Sequence, residues 1–126
     1  MKDADAAGID DADLLEAVTF YRESQYRHPN SNNRLLFVSY GNLLAFDAFN
    51  LVPDLLTQPL QVIVGGRRGP TGQYEAGRRL FDLSPALDKD FFTVEGAGHY
   101  DMYYKPDYVN QAVDRLDAFY TKHLVS

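Results

Sequence analysis

His99 has the sequence surroundings of a side chain presented for chemistry. It follows an apolar strand pattern, Phe91–Val94, and the glycine-rich segment Glu95–Gly98. Glycines at 96 and 98 permit backbone angles that other residues resist, and they let a neighbouring segment approach closely. An imidazole on such a turn titrates near neutral pH and can serve as a general base. The same pattern also fits an exposed loop histidine without a role, because a lone histidine identifies no reaction.

Motifs on both sides of His99 match a known pattern over nearly the whole chain, from about Leu14 to Leu124. The matching segments are Tyr21-Arg22, His28-Pro29, Ala45–Phe49, Thr57–Leu60, Val62–Gly66, Gly96–Asp101, Tyr103, Lys105-Pro106, Tyr108-Val109 and Gln111–Val113. Together they resemble the C-terminal half of the α/β-hydrolase fold, in the bacterial group related to dienelactone hydrolases and the polyketide-transferase type. In that group the last strand reaches the catalytic histidine and a closing helix follows. The resemblance therefore implies that His99 is the catalytic base.

The nucleophile of that group has no counterpart in this sequence. The family carries it in a Gly-x-Ser-x-Gly turn, with the oxyanion hole nearby, in an N-terminal half that precedes all the matched segments. The chain contains no such motif, and none of its serines is flanked by glycines in that pattern. A serine hydrolase needs a nucleophile, a base and an orienting acid together. We therefore expect ester or thioester hydrolysis only where another chain completes the site.

Three carboxylates are candidates for the acid that orients the base. In many relatives this acid follows the penultimate strand, at a slot that falls at about Gly69, where no carboxylate stands. Glu75, at the junction of the same loop with the next helix, is the first candidate, and Asp47 is another. Asp101 is expected instead to brace the turn at His99 by accepting backbone N–H groups. The alternative for Glu75 and Asp47 is a solvated helix residue without a role.

Other chemistries find little support in the sequence. Without cysteine, the chain has no disulfide, no thiol nucleophile and no zinc site built on sulfur. The other histidines, His28 and His123, lie far from His99 with no metal-ligand spacing, and His123 is expected to be a solvated helix-end residue. The glycine-rich loop at 65–69 lacks the phosphate-binding patterns. We expect neither a metal nor a cofactor.

Charge and hydropathy exclude several classes of partner. The net charge is −6, and the first twenty residues hold six acidic side chains against one lysine, so the rest of the chain is nearly neutral. A nucleic-acid interface needs a basic face, and the only basic doublets are Arg67-Arg68 and Arg78-Arg79. No apolar run approaches the roughly 20 residues that span a bilayer. We expect a cytoplasmic protein that binds neither nucleic acid nor membrane.

The chain length predicts a single domain, residues 11–126, behind a flexible acidic N-terminus at residues 1–10. A helix is predicted to begin with Asp10 or Asp11 as its N-cap and to reach about Ser24. Its core-facing residues are predicted to be Leu14, Leu15, Val18 and Tyr21.

The segment after this helix gives a mixed signal. Arg34–Tyr40 fits either a strand or the start of a helical region. A helical pattern then places four apolar residues on one face, and Pro53 is expected to divide it into two short helices. These four residues are Leu44, Ala48, Leu51 and Leu55.

A strand–helix–strand unit follows. The β-branched run Leu60–Val64 predicts a strand of the parallel type, a helix begins at residue 72 or 73 and reaches Phe81, and Phe91–Val94 is the second strand. Pro106 is predicted to begin a long final helix. Its core-facing stripe is predicted to be Val109, Ala112, Val113, Leu116, Phe119 and Tyr120. The expected fold class is α/β, a partial α/β-hydrolase, Rossmann-like sheet of two to three strands with flanking helices and a long C-terminal helix.

So small a sheet leaves the edge of the strand at 60–64 unpaired beside apolar surface. We therefore expect an obligate oligomer, either a homodimer or a complex with a second chain that carries the N-terminal half.

The sequence leaves three functions open. In the first, His99 is the base toward a small-molecule ester in a site completed by another chain. In the second, the chain is a non-catalytic dimeric binding or scaffold protein that uses the former hydrolase pocket near Tyr100 and Tyr103. In the third, the sequence is a fragment of a full hydrolase.

Overall fold

The structure, a computed structural model, describes residues 8–32 and 34–124. It is a mixed α/β arrangement with a small parallel sheet and a long C-terminal helix. The elements are α1 (Ala12–Val18), α2 (Ser39–Ala45), α3 (Val52–Leu55), β1 (Leu60–Gly65), α4 (Gln73–Leu83), β2 (Lys89–Val94), α5 (Asp101–Tyr104) and α6 (Pro106–Leu124). A π-helical turn, Thr19–Glu23, continues α1. None of the helices in this described part is long and apolar enough to cross a membrane.

The sheet is the parallel pair that the strand–helix–strand pattern predicts. Its register runs from Leu60 opposite Lys89 to Gly65 opposite Val94, and α4 connects the two strands. β2 begins at Lys89, before the predicted start at Phe91, because Lys89 pairs with Leu60 and the N–H of Leu60 bonds to the Asp88 carbonyl. The α/β class, with two strands and a long final helix, is confirmed.

The two most deeply buried core residues lie at the carboxyl end of β2. Val94, the last residue of β2, is 0% exposed, and Ala97 just beyond it is buried as well. Val62 on β1 is also buried. Burying a valine side chain contributes about 1.5–3 kcal/mol, so the point from which the chain leaves β2 is firmly fixed.

α1 begins where the sequence predicts. Asp11 is its N-cap, and the Asp11 carboxylate accepts the backbone N–H groups of Asp13 and Leu14 at 2.9 and 3.1 Å. The predicted inward face is wrong at Leu14 and Tyr21, which are both exposed, whereas Asp13 is buried. The reason is that α1 packs against the polar loop after β1. Of the N-terminus predicted to be flexible, residues 1–7 lie outside the described residues.

Residues 34–55 form turns and two short helices. Arg34–Tyr40 is not a strand, because the N–H groups of Ser39 and Tyr40 bond to the carbonyls of Leu36 and Phe37 in turns that enter α2. Two short helices, α2 and α3, are present, but the predicted point of division is wrong. The break lies at residues 46–51, and Pro53 stands in the first turn of α3. Most apolar side chains here are exposed, and we call them the apolar patch: Leu35, Leu36, Phe37, Val38, Tyr40, Leu43, Leu44, Phe46, Leu51 and Leu55.

α6 begins at Pro106, as predicted, and packs along the sheet. Val113 and Tyr120 were predicted to face the core, but both are about half exposed, because a two-stranded sheet covers only a narrow face of the helix. The residues of the predicted stripe that are half-buried are Val109, Ala112, Leu116 and Phe119.

The end of α6 returns to the amino end of β2. Lys122 bonds to the Asp88 carboxylate. The His123 side chain is only 15% exposed, with its ring 4.5 Å from the Phe119 ring and its Nε2 atom 3.5 Å from an Asp88 oxygen. The prediction of a solvated His123 is therefore wrong, because the ring packs against Phe119 and lies near Asp88 instead of pointing into solvent.

Candidate active site

His99 lies in the tight turn that follows β2. Gly96 has a left-handed backbone, with φ of 76°, which glycine adopts without strain. The N–H of Ala97 bonds to the Val94 carbonyl at 3.2 Å, and the Ala97 carbonyl accepts the N–H of Arg67 at 2.9 Å. The chain is therefore bonded to both strand ends before it reaches His99.

The His99 ring meets a hydroxyl group. Its Nε2 atom lies 2.8 Å from the hydroxyl oxygen of Tyr103, which α5 carries one helical turn further on. Burial, followed by contact with the Tyr21 hydroxyl, raises the pKa of Tyr103 to about 12. The phenol therefore keeps its proton at neutral pH and can donate it to Nε2. The contact marks Nε2 as the nitrogen that faces hydroxyl groups, which is what a general base requires.

Asp101 braces the turn, as predicted. Its buried carboxylate accepts the N–H of Gly98 at 3.0 Å, an N–H of the Arg67 guanidinium at 3.2 Å, and the ammonium group of Lys105 at 2.7 Å. Burial opposes ionisation of this carboxyl group. The hydrogen bonds from Lys105 and Gly98, with the positive charges of Lys105 and Arg67, outweigh burial and hold the pKa of Asp101 below its ordinary value.

Arg67 connects this turn with α1. Its guanidinium bonds to the Glu16 carboxylate at 2.5 Å as well as to Asp101. The same group lies against Gly98, where a Cβ atom would overlap it. Glycine at position 98 therefore permits the close approach of the arginine, which a larger residue would displace.

A second carboxylate from α1 occupies the loop after β1. Asp13 accepts the backbone N–H of Thr71 at 3.1 Å and also the Thr71 hydroxyl. A Cβ atom on Gly69 would overlap the Asp13 carboxylate. The loop carries no acid at position 69, but the Asp13 carboxylate from α1 lies against Gly69.

Sequence reasoning missed Asp13, Glu16 and Arg67. The signal that could have found the first two is their spacing of three residues, which puts both carboxylates on one helix face. Nothing local points to their partners, because Arg67 and Thr71 are 51 and 58 residues away along the chain.

The other two acids proposed from sequence each have another partner. The Glu75 side chain is 55% exposed, stands in the first turn of α4, and forms an ion pair with Arg68 at 3.7 Å. Asp47 lies in the turn after α2, where its carboxylate accepts the N–H of Phe49 at 2.9 Å. No hydrogen bond among the described residues joins either acid to His99.

A cavity of about 370 Å³ opens beside His99. Its walls include Val62–Gly65 on β1, Gly77 on α4, and Met102 and Tyr103 on α5. Successive residues of a strand point to opposite faces, so a cavity that touches all four of these β1 residues lies along the edge of the strand. The cavity is apolar along β1 and polar at the end where His99 stands.

The arrangement can present the Nε2 atom of His99 to a hydroxyl group at the rim of this cavity. Within residues 8–32 and 34–124, no cluster of three or more histidine, aspartate or glutamate side chains is arranged to hold a metal ion.

Comparison with known proteins gives one distant relative. The chain is similar to the "Uncharacterized protein YcjY" of Escherichia coli (strain K12), with 28% identity over 124 residues. The match covers 98% of this chain and 39% of that protein, so the chain spans about two fifths of the length of the relative it matches. No family model matches the chain.

Proposed function

We propose that the chain is the histidine-bearing part of an α/β-hydrolase-type esterase or thioesterase, with His99 as its general base. The observation that carries this proposal is the His99 ring itself, held on a braced turn after β2 with Nε2 at 2.8 Å from a hydroxyl oxygen. The motifs that resemble the α/β-hydrolases add support, since in those enzymes the turn after the last strand carries the base.

The proposed reaction is acyl transfer. Nε2 takes the proton of a nucleophilic hydroxyl, the alkoxide attacks the ester or thioester carbonyl, and the imidazolium then protonates the leaving group. The nucleophile and the oxyanion donors come from outside these 126 residues, because the sequence contains no Gly-x-Ser-x-Gly. Glu75 is the first candidate for the orienting acid, ahead of Asp47 and Asp101. The cavity beside β1 would receive the acyl or alcohol part of a small ester.

The test is to purify the protein from its own host without a denaturing step, to measure its native mass and to assay the preparation with p-nitrophenyl esters and acyl thioesters. We expect additional mass from a polypeptide that carries the nucleophile, and ester turnover by the assembly. His99→Ala should lower kcat/KM by about 10²- to 10⁴-fold, the contribution of a positioned base.

His28→Ala is the matched control, since His28 lies in an exposed loop, where its ring nitrogen Nδ1 accepts the N–H of Asn30. It should leave turnover unchanged. Turnover that survives His99→Ala, or a preparation with the additional polypeptide and no turnover, would overturn the proposal.

A second candidate function is a non-catalytic dimeric binding or scaffold protein derived from a hydrolase. The apolar patch supports it, because Phe37 is 87% exposed and a patch of this kind marks an interaction surface. This function predicts a native mass that is an integer multiple of the chain mass. It also predicts no ester turnover, and ligand binding near Tyr100 and Tyr103 that does not depend on His99.

A further inference from the structure

The turn that carries His99 is held from outside by two side chains. Backbone bonds fix Ala97, through its N–H and its carbonyl, to the ends of both strands. The next peptide N–H, that of Gly98, is buried and bonds to the Asp101 carboxylate at 3.0 Å. This N–H belongs to the residue directly before His99, so its orientation helps to set the direction of the His99 side chain.

The same residue also begins the helix that carries Tyr103, the partner of His99. Asp101 is the first residue of α5, and its backbone carbonyl accepts the N–H of Lys105 at 3.0 Å, which closes the single turn that carries Tyr103. One residue thus holds both the turn of His99 and the helix of Tyr103. The Arg67 guanidinium fills the space against Gly98 and bonds to the Asp101 atom that accepts the Gly98 N–H.

We propose that Asp101 and Arg67 are positioning residues that set the direction of the His99 imidazole relative to Tyr103 and the cavity. The catalytic meaning of this inference rests on the proposed function of His99. The positioning itself is a property of the 126-residue chain and can be measured without any substrate.

The test uses the full chain labelled with ¹⁵N. The ring nitrogen signals of His99 report the contact at Nε2, and those of His28 and His123 serve as internal references. The exchange rate of the Gly98 amide proton reports the hydrogen bond to Asp101. Both are recorded for the wild type, Asp101→Ala and Asp101→Asn. Asp90→Asn is the matched control, because Asp90 also pairs with an arginine, at the opposite end of β2.

We expect Asp101→Ala to speed exchange at Gly98 by about tenfold or more, the effect of losing a hydrogen bond to a buried carboxylate. The His99 ring signals should move toward those of a solvated imidazole, while those of His28 and His123 stay in place. Asp101→Asn keeps an oxygen that can accept the Gly98 N–H, so it should restore slow exchange and most of the His99 signal. Asp90→Asn should reduce stability without moving the His99 signals.

Unchanged His99 ring signals in Asp101→Ala would overturn the proposal and leave Asp101 with a purely structural role. If Asp101→Ala does not fold, Arg67→Met takes its place. It must then move the His99 signals while the Asp90→Asn control does not, and its failure to do so overturns the proposal equally. The absence of ester turnover in the native assembly would count against the proposed function alone, because these signals need no catalysis.

Discussion

At the amino end of the sheet, the Asp90 side chain joins three elements. It accepts the Gln61 amide of β1 at 2.6 Å and two N–H groups of Arg115 on α6, at 2.8 and 2.5 Å. The hydrogen bonds from Arg115, with the smaller contribution of Gln61, hold the pKa of Asp90 below its ordinary value of 3.8, although burial opposes this. Because the pKa is lowered in the folded chain, the ionised carboxylate stabilises the fold above the unfolded value. That stabilisation is lost as the pH falls through the folded value.

The free energy of unfolding should therefore fall as the pH is lowered from about 5 through 3.8 and below. Asp90→Asn should make this fall shallower, because the group no longer titrates. Arg115→Gln should have the same effect by removing the cationic partner. Urea unfolding at several pH values between 3 and 6 would measure it. A fall as steep in both variants as in the wild type would show that Asp90 is not linked to acid unfolding.

In this site, contacts between residues that are close in sequence could be predicted, and contacts between distant residues could not. His99 and Asp101 stand on one short glycine-rich turn, so their proximity follows from the local sequence. The contacts of Arg67 with Glu16 and of Asp13 with Thr71 join segments more than 50 residues apart. A single sequence carries no signal for such pairs, because the carboxylates and arginines involved are equally common on solvated surfaces.

At the level of elements, β1, α4, β2 and α6 were predicted well because each has a strong pattern and a clear boundary signal. The sequence of Arg34–Tyr40 fits either a strand or a helix, because an apolar run without a period is compatible with both. Its side chains contact little in the structure, so tertiary packing does not impose a strand. The apolar pattern of α1 predicts that Leu14 faces the core, because a helix usually buries its apolar face. α1 instead buries carboxylates that bond to a loop.

Two glycines in helices give a matched prediction at this scale. A Cβ atom on Gly77 of α4 would lie 2.7 Å from a methyl group of Val64 on β1, whereas a Cβ atom on Gly41 of α2 would meet nothing within 4 Å. Alanine is favoured over glycine inside a helix by about 0.5–1 kcal/mol. Gly41→Ala should therefore stabilise the fold by about that amount.

Gly77→Ala should destabilise it instead, by about 1–3 kcal/mol, because the strand behind α4 would have to move. Urea unfolding of the two variants beside the wild type measures both effects. A stabilising Gly77→Ala would mean that α4 does not pack on β1 as closely as described.

At the scale of the whole molecule, the described residues combine a small core with a large exposed apolar surface. Val94 is 0% exposed, yet the apolar patch holds ten large hydrophobic residues in the open. Water-exposed apolar surface of this extent favours association, and the assembly itself stays a prediction.

Phe37→Ser and Val94→Ala should separate folding from association. In dilute solution Phe37→Ser should change the free energy of unfolding by less than about 0.5 kcal/mol, because the side chain buries little within the chain. Val94→Ala should cost about 2 kcal/mol through lost burial and a cavity. Light scattering at rising protein concentration should show weaker association for Phe37→Ser only. A folding cost for Phe37→Ser equal to that of Val94→Ala would place Phe37 in the core.

The Asp13 carboxylate against Gly69 has a consequence for how such sequences can diverge. The space beside the loop after β1 holds one acidic group, and the backbone at 69 must lack a side chain for Asp13 to enter it. Positions 13 and 69 should therefore covary. In related sequences with an aspartate at position 69, the residue at position 13 should be free to vary. Those that keep glycine at 69 would retain the acid on α1, so the carboxylate changes its place in the sequence while keeping its place in space.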